Sequence, residues 1–255
     1  MEIAIPSYKR SGILKRKTLA FLDSEGFPKE KISIFVADSN ELQSYREDLG
    51  NEYKIVIGFK GISNQRLFIR NYYPEGTRIL SLDDDIRKMK RLRDIPFKEL
   101  CEQLFSLIQQ EGLTTFGFYP VNNLFFCKDR ILIGSLYIIA CCYGFINKKD
   151  LLNYSPVDDK EDVWYSLKRI ELDGAVLRYE GACPDTDYYA AGGLAESRTI
   201  ESEKKAAEEV CQLFPDNTKF LIKKNGHAEV KIKRKILKNF VLPSRDEELI
   251  SPSSH

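Results

Sequence analysis

Three consecutive carboxylates, Asp83, Asp84 and Asp85, close the run ILSLDDD, and five basic residues follow at once between Arg87 and Arg93. Ile79, Leu80 and Leu82 read as a short strand covered on both faces, since both alternation phases are apolar apart from Ser81. The aspartates then stand where that strand leaves the core. If the extended conformation continues, Asp83 and Asp85 point to one side and Asp84 to the other. Two carboxylates on one face repel unless something positive sits between them, and a divalent cation is the usual solution. The same residues also suit a turn, a helix cap or ion pairs with Arg87 and Lys88, so the pattern alone specifies nothing.

Other residues could join such chemistry. Glu161 and Asp162 open the helical pattern DKEDVWYSLKRI, where acids are favoured in any case by the helix dipole. Trp164 follows them and, as a lone tryptophan, is expected in the core. Asn64, Arg66 and Arg70 fall on one predicted helix. Arg66 and Arg70, four apart, share a face that could meet phosphate or Asp38, or could pair with surface acids. His227 stands at the tip of KKNGHAEV, where a histidine is ordinarily an exposed neighbour of the turn.

The elements that must position these groups alternate in the first third of the chain. EIAIP, ISIFVAD, KIVIGF and ILSLDDD read as strands; LKRKTLAFLDSEG, SNELQSYREDLG and ISNQRLFIRNYY read as helices. That order predicts an α/β fold with a mainly parallel sheet flanked by helices. Gly26 and Gly50 fall at expected helix C-termini and Ser39 at a cap. Further on, a helix over Phe97 to Gln110 precedes the strand-like TTFGFYP and LYIIACCYGFI. The helix DDKEDVWYSLKRIELDG, the strand AVLRYEG, a charged helix from Glu196 to Leu213 and a hairpin turning at Asn225-Gly226 follow. Residues 1–242 are expected to form one domain and 243–255 a mobile tail.

In such sheets ligands bind beyond the C-terminal strand ends. The first strand ends in Pro6-Ser7-Tyr8-Lys9-Arg10, the second in Asp38, the third in Lys60-Gly61 and the fourth in Asp83 to Asp85. An aromatic ring, cations and carboxylates around one crevice suit a nucleotide. Neither GxGxxG nor GxxxxGK[ST] is present, so a Rossmann dinucleotide site and a P-loop are unsupported.

Taken in order, IAIPSYKR, Asp38, GISNQRLFIRNYY, LSLDDD and KEDVWYS resemble the glycosyltransferases of the GT-A fold. More narrowly they are similar to the group associated with the TET and J-binding-protein oxygenases, which includes the base J glucosyltransferase and phage relatives. The resemblance implies Mn²⁺ or Mg²⁺ held by Asp83 and Asp85, with His227 as a further ligand, and a nucleotide sugar donor, UDP-glucose. It implies donor contacts from Pro6, Ser7, Tyr8, Arg10, Asp38, Gly61, Asn64, Arg66, Arg70, Asp83 and Asp84. Asp162, beside Glu161, matches the catalytic carboxylate of enzymes that invert the anomeric carbon. The acceptor implied is a hydroxymethylated pyrimidine in DNA, with Tyr188 and Tyr189 available to stack on the base. Gly192-Gly193 suits either a lid that closes over the donor or a helix-entry loop.

Composition is ordinary for a soluble globular protein and leaves rivals open. The chain has 255 residues, 43% hydrophobic and 30% charged, enough for one large domain. Its longest apolar stretch, near Leu136 to Ile146, is too short for a bilayer, and the first residues already read as a strand, so a cytoplasmic enzyme without a membrane partner is expected. Six cysteines without a C-x-x-C spacing read as buried free thiols. The net charge of +1 hides basic runs at Arg87–Arg93 and Lys219–Lys238, which are either solvated faces or polyanion contacts. A glycosyltransferase acting on a glycan, lipid or protein, a nucleotidyltransferase and a noncatalytic nucleic-acid-binding module are the alternatives.

Overall fold

The apolar run after Met1 forms β1 (Glu2–Pro6), with Ile3, Ala4 and Ile5 wholly buried because helices cover both faces. The computed structural model describes residues 1–151, 157–186 and 199–242. The expected roles of Tyr188, Tyr189 and Gly192-Gly193, and the tail 243–255, lie outside them. After β1 come α1 (Ser11–Leu14), a wider π-type turn over Lys15–Leu19 and α2 (Ala20–Ser24). The chain then runs through β2 (Ile32–Val36), α3 (Ser39–Leu49), β3 (Lys54–Ile57), α4 (Ile62–Tyr72) and β4 (Arg78–Leu82). β1 pairs in parallel with β2 on one side and with β4 on the other, while β2 pairs with β3. The strand order therefore reverses between β1 and β4, which opens a crevice beyond their C-terminal ends.

The second half supplies β5 (Lys88–Arg91), α5 (Phe97–Gln110), β6 (Thr115–Phe118), β7 (Ile131–Ser135) and β8 (Cys142–Ile146). It continues with α6 (Glu161–Asp173), β9 (Val176–Tyr179), β10 (Ala182–Asp185), α7 (Ile200–Leu213), β11 (Thr218–Ile222), β12 (Ala228–Ile232) and β13 (Lys235–Phe240). Among the described residues the main sheet has nine strands in the order β13-β7-β9-β6-β8-β4-β1-β2-β3. β8 is antiparallel to both β4 and β6, so the parallel half passes into a mixed half. One face packs α1, α2, α3 and α5 through Leu14, Leu22, Tyr45 and Phe105; the other packs α4, α6 and α7 through Ile69, Trp164 and Val210. Trp164 is thus a core residue. The sheet thus lies between two helical layers, the α/β architecture the sequence predicts.

Three expectations shift. The helix cap is Asp38, one residue before Ser39: its Oδ1 accepts from the amides of Asn40 at 2.9 Å and Glu41 at 3.0 Å. Of the run LYIIACCYGFI only Cys142–Ile146 is strand, since the Ile138 amide is drawn off to Ser166 Oγ at 2.9 Å. The basic run Arg87–Arg93 contains β5, paired antiparallel with β10. Four of its five charges are met by acids: Arg87 and Lys90 by Asp185, Arg91 by Glu25 and Arg93 by Asp129. All six cysteines are free thiols. No helix among the described residues is long and apolar enough to cross a membrane.

Candidate active site

The crevice between β1 and β4 is the floor of a cleft of about 1330 Å³. Pro6, Ser7, Tyr8 and Arg10 line it from the end of β1, Gly61 and Arg66 from the start of α4, and Asp83, Asp84 and Asp85 from the end of β4. Glu161 and Asp162 reach it from α6, and His227 from the β11–β12 hairpin. Residues remote in the sequence thus meet at one place. Lys60 also lines the cleft and lies over the Tyr8 ring, 5.6 Å from its centroid, where the pair can receive a flat heterocycle.

The aspartates do not alternate as an extended strand would. β4 ends at Leu82 and the chain turns at Asp84 and Asp85, so Asp84 and Asp85 share one partner and Asp83 takes another. Arg10 Nη1 lies 3.2 Å from Asp84 Oδ1 and 3.5 Å from Asp85 Oδ2, while Arg66 Nη2 lies 3.2 Å from Asp83 Oδ1. Tyr45 bonds to Ser7 Oγ at 2.6 Å, and Ser7 donates to Asp84 Oδ2 at 2.6 Å. Thr186 donates to Asp85 Oδ1. Thr18, carried by the π-type turn, donates to the Asp83 carbonyl at 2.7 Å and accepts the Ile86 amide at 2.9 Å, which pins the turn from below.

Asp83 is the aspartate that opens most to the cleft, with 37% of its side chain exposed against 7% for Asp84 and Asp85. Surrounding protein raises its carboxyl to about 7; Arg66 opposes the rise, and the charges of Asp85, Asp84 and Glu161 add to it. Asp84 is raised as well, by burial first. At the turn four carboxylates, Asp83, Asp84, Asp85 and Glu161, thus meet two arginines, Arg10 and Arg66. Among the described residues no three His, Cys, Asp or Glu side chains already converge as a metal-holding group. The donor set is nonetheless right for a hard divalent cation: carboxylate oxygens, clustered and under-neutralised.

Arg66, 3% exposed, joins the aspartate turn to the start of α6. Its Nε lies 3.0 Å from Glu161 Oε1, and it also donates to Ser81 Oγ at 3.3 Å and the Ala140 carbonyl at 3.2 Å. Asp162 faces the cleft beside it. The Val163 amide donates to Asp162 Oδ1 at 2.8 Å, and Tyr137, from the irregular segment before β8, donates its hydroxyl to Oδ2. Among the described residues two non-glycines have positive φ, Lys9 at 56° and Lys160 at 66°; Lys9 lies between the cleft-lining Tyr8 and Arg10, and Lys160 lines the cleft itself, just before Glu161. Strain held at both edges of one cleft is the pattern of a functional site.

His227 is not a free turn residue. Its Nδ1 lies 2.6 Å from Glu203 Oε2 on α7, and Lys160 pairs with the other oxygen of that carboxylate. Burial works against ionisation, yet these two bonds hold Glu203 below the usual carboxylate range. The arrangement orients the imidazole and leaves Nε2 available.

Three sequence candidates do not line the cleft. Asp38 spends its carboxylate on capping α3. Arg70, 2% exposed, is sandwiched 4.0 Å from the Phe145 ring centroid and 4.5 Å from that of Tyr165, in place of the pairing with Asp38 or phosphate that its spacing suggests. Asn64 sits in the first turn of α4, its amide near Gly61. Conversely, Tyr137, Glu203 and Arg178 contribute to the site and carried no signal of it in the sequence.

No family model and no curated protein matches the sequence. Solved structures do share the fold. Glucosyl-3-phosphoglycerate synthase from Mycobacterium tuberculosis, in complex with Mn²⁺, UDP and phosphoglyceric acid, superposes with a TM-score of 0.52 at 11% identity, over 94% of this chain and 89% of that one. The same enzyme with Mn²⁺, UDP-glucose and phosphoglyceric acid gives the same score, identity and coverage. The galactosyltransferase LgtC, in complex with donor and acceptor sugar analogs, covers 70% of this chain and 73% of its own at 15% identity, with a TM-score of 0.40. At these identities the likeness is one of fold.

Proposed function

We propose that the chain is a metal-dependent glycosyltransferase that moves a sugar from a nucleotide sugar to an acceptor hydroxyl. The observation that carries the reading is the meeting of the Asp83–Asp85 turn and Asp162, from separate elements, across one cleft at the strand-order reversal. The solved structures that share the fold and hold UDP or UDP-glucose with Mn²⁺ support it. Asp83 and Asp85, with His227 Nε2 from the facing wall, are the residues that would hold the cation. Bound there, a divalent ion would neutralise charge developing on the departing nucleotide phosphate.

The rest falls to the chain itself. Tyr8 and Lys60 receive the base, and Arg10 lends positive charge on the donor side. Asp162 takes the proton of the acceptor hydroxyl as that oxygen bonds to the anomeric carbon; the bond from that carbon to the phosphate oxygen breaks, and the nucleoside diphosphate leaves with its electron pair. With Asp162 as base the reaction inverts the anomeric centre. UDP-glucose is the donor favoured by the family resemblance, and a hydroxymethylated pyrimidine in DNA is the acceptor it favours. Three basic residues of the Lys219–Lys238 run, Lys223, Lys231 and Arg234, line the cleft and suit a polyanion; the Arg87–Arg93 run does not line it.

A melting-temperature panel of nucleotides and sugar nucleotides with Mn²⁺ tests the donor, because a ligand of the native state raises stability. Labelled donor offered with DNA containing 5-hydroxymethyluracil or 5-hydroxymethylcytosine, beside unmodified DNA, tests the acceptor. Label in hydroxymethylated DNA alone supports it. Donor turnover with no label in any DNA removes DNA as the acceptor and leaves the transferase in place.

A further inference from the structure

We propose that Arg178, together with Arg234 and Lys231, forms an anion subsite on the acceptor side of the cleft, and that the acceptor carries a phosphate group. This deepens the glycosyltransferase reading and rests on it. Arg178 belongs to β9 and is 8% exposed at its side chain, yet it lines the cleft. Its Nη2 lies 2.5 Å from Glu180 Oε1, and its Nη1 donates to the Tyr137 carbonyl at 3.2 Å. Its Nε is buried with no hydrogen-bond partner among the described residues.

Glu180 does not balance that guanidinium. The same carboxylate also takes Arg130 at 2.7 Å and Arg234 at 3.5 Å, so three guanidinium groups crowd one acid in a largely buried place. Burial first, and then the charge of Arg234, push Arg178 below its ordinary range, while Glu180 opposes the fall. A phosphate supplies several acceptor oxygens and negative charge, which is the complement of a buried guanidinium fork and a nearby lysine. Lys231, on β12, and Arg234, just after it, are exposed and complete the wall.

The position assigns the anion to the acceptor. β9 is separated from β4 by β6 and β8, so Arg178 stands away from the aspartate turn where donor phosphates belong. Tyr137 accepts from Arg178 at its backbone oxygen and donates to Asp162 through its hydroxyl. The anion subsite and the candidate base are thus the two ends of one residue. An acceptor seated by its phosphate on Arg178 presents a neighbouring hydroxyl to Asp162.

Titration calorimetry at constant ionic strength, with inorganic phosphate as the probe and the full chain alone or loaded with UDP and Mg²⁺, tests the subsite. Phosphate is expected to bind the UDP-loaded protein. The double variant Lys231→Ala/Arg234→Ala, altered at exposed side chains, should bind it about tenfold more weakly with UDP affinity unchanged. Arg178→Gln should lose it, and Arg178→Lys should recover part. No phosphate binding by the wild type, or equal binding by the double variant, overturns the subsite. Phosphate bound in a Lys231- and Arg234-dependent way by a chain that does not bind UDP would keep the subsite and remove the transferase reading, so the two failures are separable. Labelled transfer to glycerol 3-phosphate or to a hydroxymethylated oligonucleotide supports a phosphate-bearing acceptor and tells a small ester from a nucleic acid. Transfer confined to acceptors without phosphate overturns it.

Discussion

The Tyr137 hydroxyl donates a hydrogen bond to Asp162 Oδ2 at the cleft, while the Val163 amide donates to Oδ1. Both oxygens are engaged, so the rotation of the carboxylate is set before any acceptor arrives. Orientation of a reacting group in this way is worth a large part of a rate enhancement. Tyr137→Phe is therefore expected to lower turnover about tenfold while nucleotide affinity stays near wild type. Steady-state kinetics beside a separate nucleotide titration checks this. A weaker nucleotide with unchanged turnover would move Tyr137 to the donor side.

Asp162 itself is the sharper case. Asp162→Asn preserves the shape and the oxygen that accepts from the Val163 amide, turns the position facing Tyr137 from acceptor to donor, and removes the base, so turnover should fall roughly 10²- to 10⁴-fold. Donor affinity should not change. A variant that loses donor binding or unfolds would show that the carboxylate serves the nucleotide or the α6 terminus instead.

Much of the site was legible because it lies at element ends. The run Ile79–Leu82 had to be a covered strand, so the acids after it had to emerge at its C-terminal edge; Glu161 and Asp162 likewise had to open a helix. Their geometry was not legible. Whether Asp83 and Asp85 share a face depends on whether the strand continues, and the turn at Asp84 and Asp85 is fixed by Thr18, Ser7 and Thr186, all remote in the sequence. Arg178 sits in AVLRYEG, a pattern that reads only as a buried strand. Tyr137 falls in an apolar run that reads as continuous strand until the Ile138 amide is seen to leave for Ser166. The charged ribbon β5–β10 and the edge strand β13 escaped for the same reason, since pairing with a distant partner leaves little local pattern.

The raised carboxyl of Asp83 has a consequence for stability. Its value of about 7 lies above the ordinary carboxylate value of the unfolded chain, so between the two the folded state holds a proton that the unfolded state lacks. Stability then falls as pH rises through that window, and the loss is complete above it. Metal-free protein should melt at higher temperature near about pH 5 than near about pH 8, and Asp83→Asn should flatten the difference. Adding Mn²⁺ should restore stability at the higher pH. Melting curves in EDTA and in Mn²⁺ check this; the same pH slope for wild type and variant would contradict it.

Arg66 is the structural tie between the aspartate turn and α6. Arg66→Met removes a buried charge paired with both Asp83 and Glu161 and should cost about 3–5 kcal/mol, because it strands two carboxylates. Arg66→Lys should recover part of that, since one ammonium cannot reproduce both contacts. Urea denaturation measures the difference. A loss for Arg66→Met below about 1 kcal/mol would mean the pairs act as surface ion pairs do.

A glycosyltransferase cleft must handle a sugar nucleotide. Purified protein incubated with a panel of labelled sugar nucleotides and Mn²⁺, without acceptor, is expected to release free nucleotide slowly from one of them. Release should stop in EDTA and in Asp83→Asn, and should fall with Asp162→Asn while that variant still binds the donor. If no sugar nucleotide is bound or hydrolysed with Mn²⁺ or Mg²⁺, the protein is not a glycosyltransferase and the cleft serves another ligand.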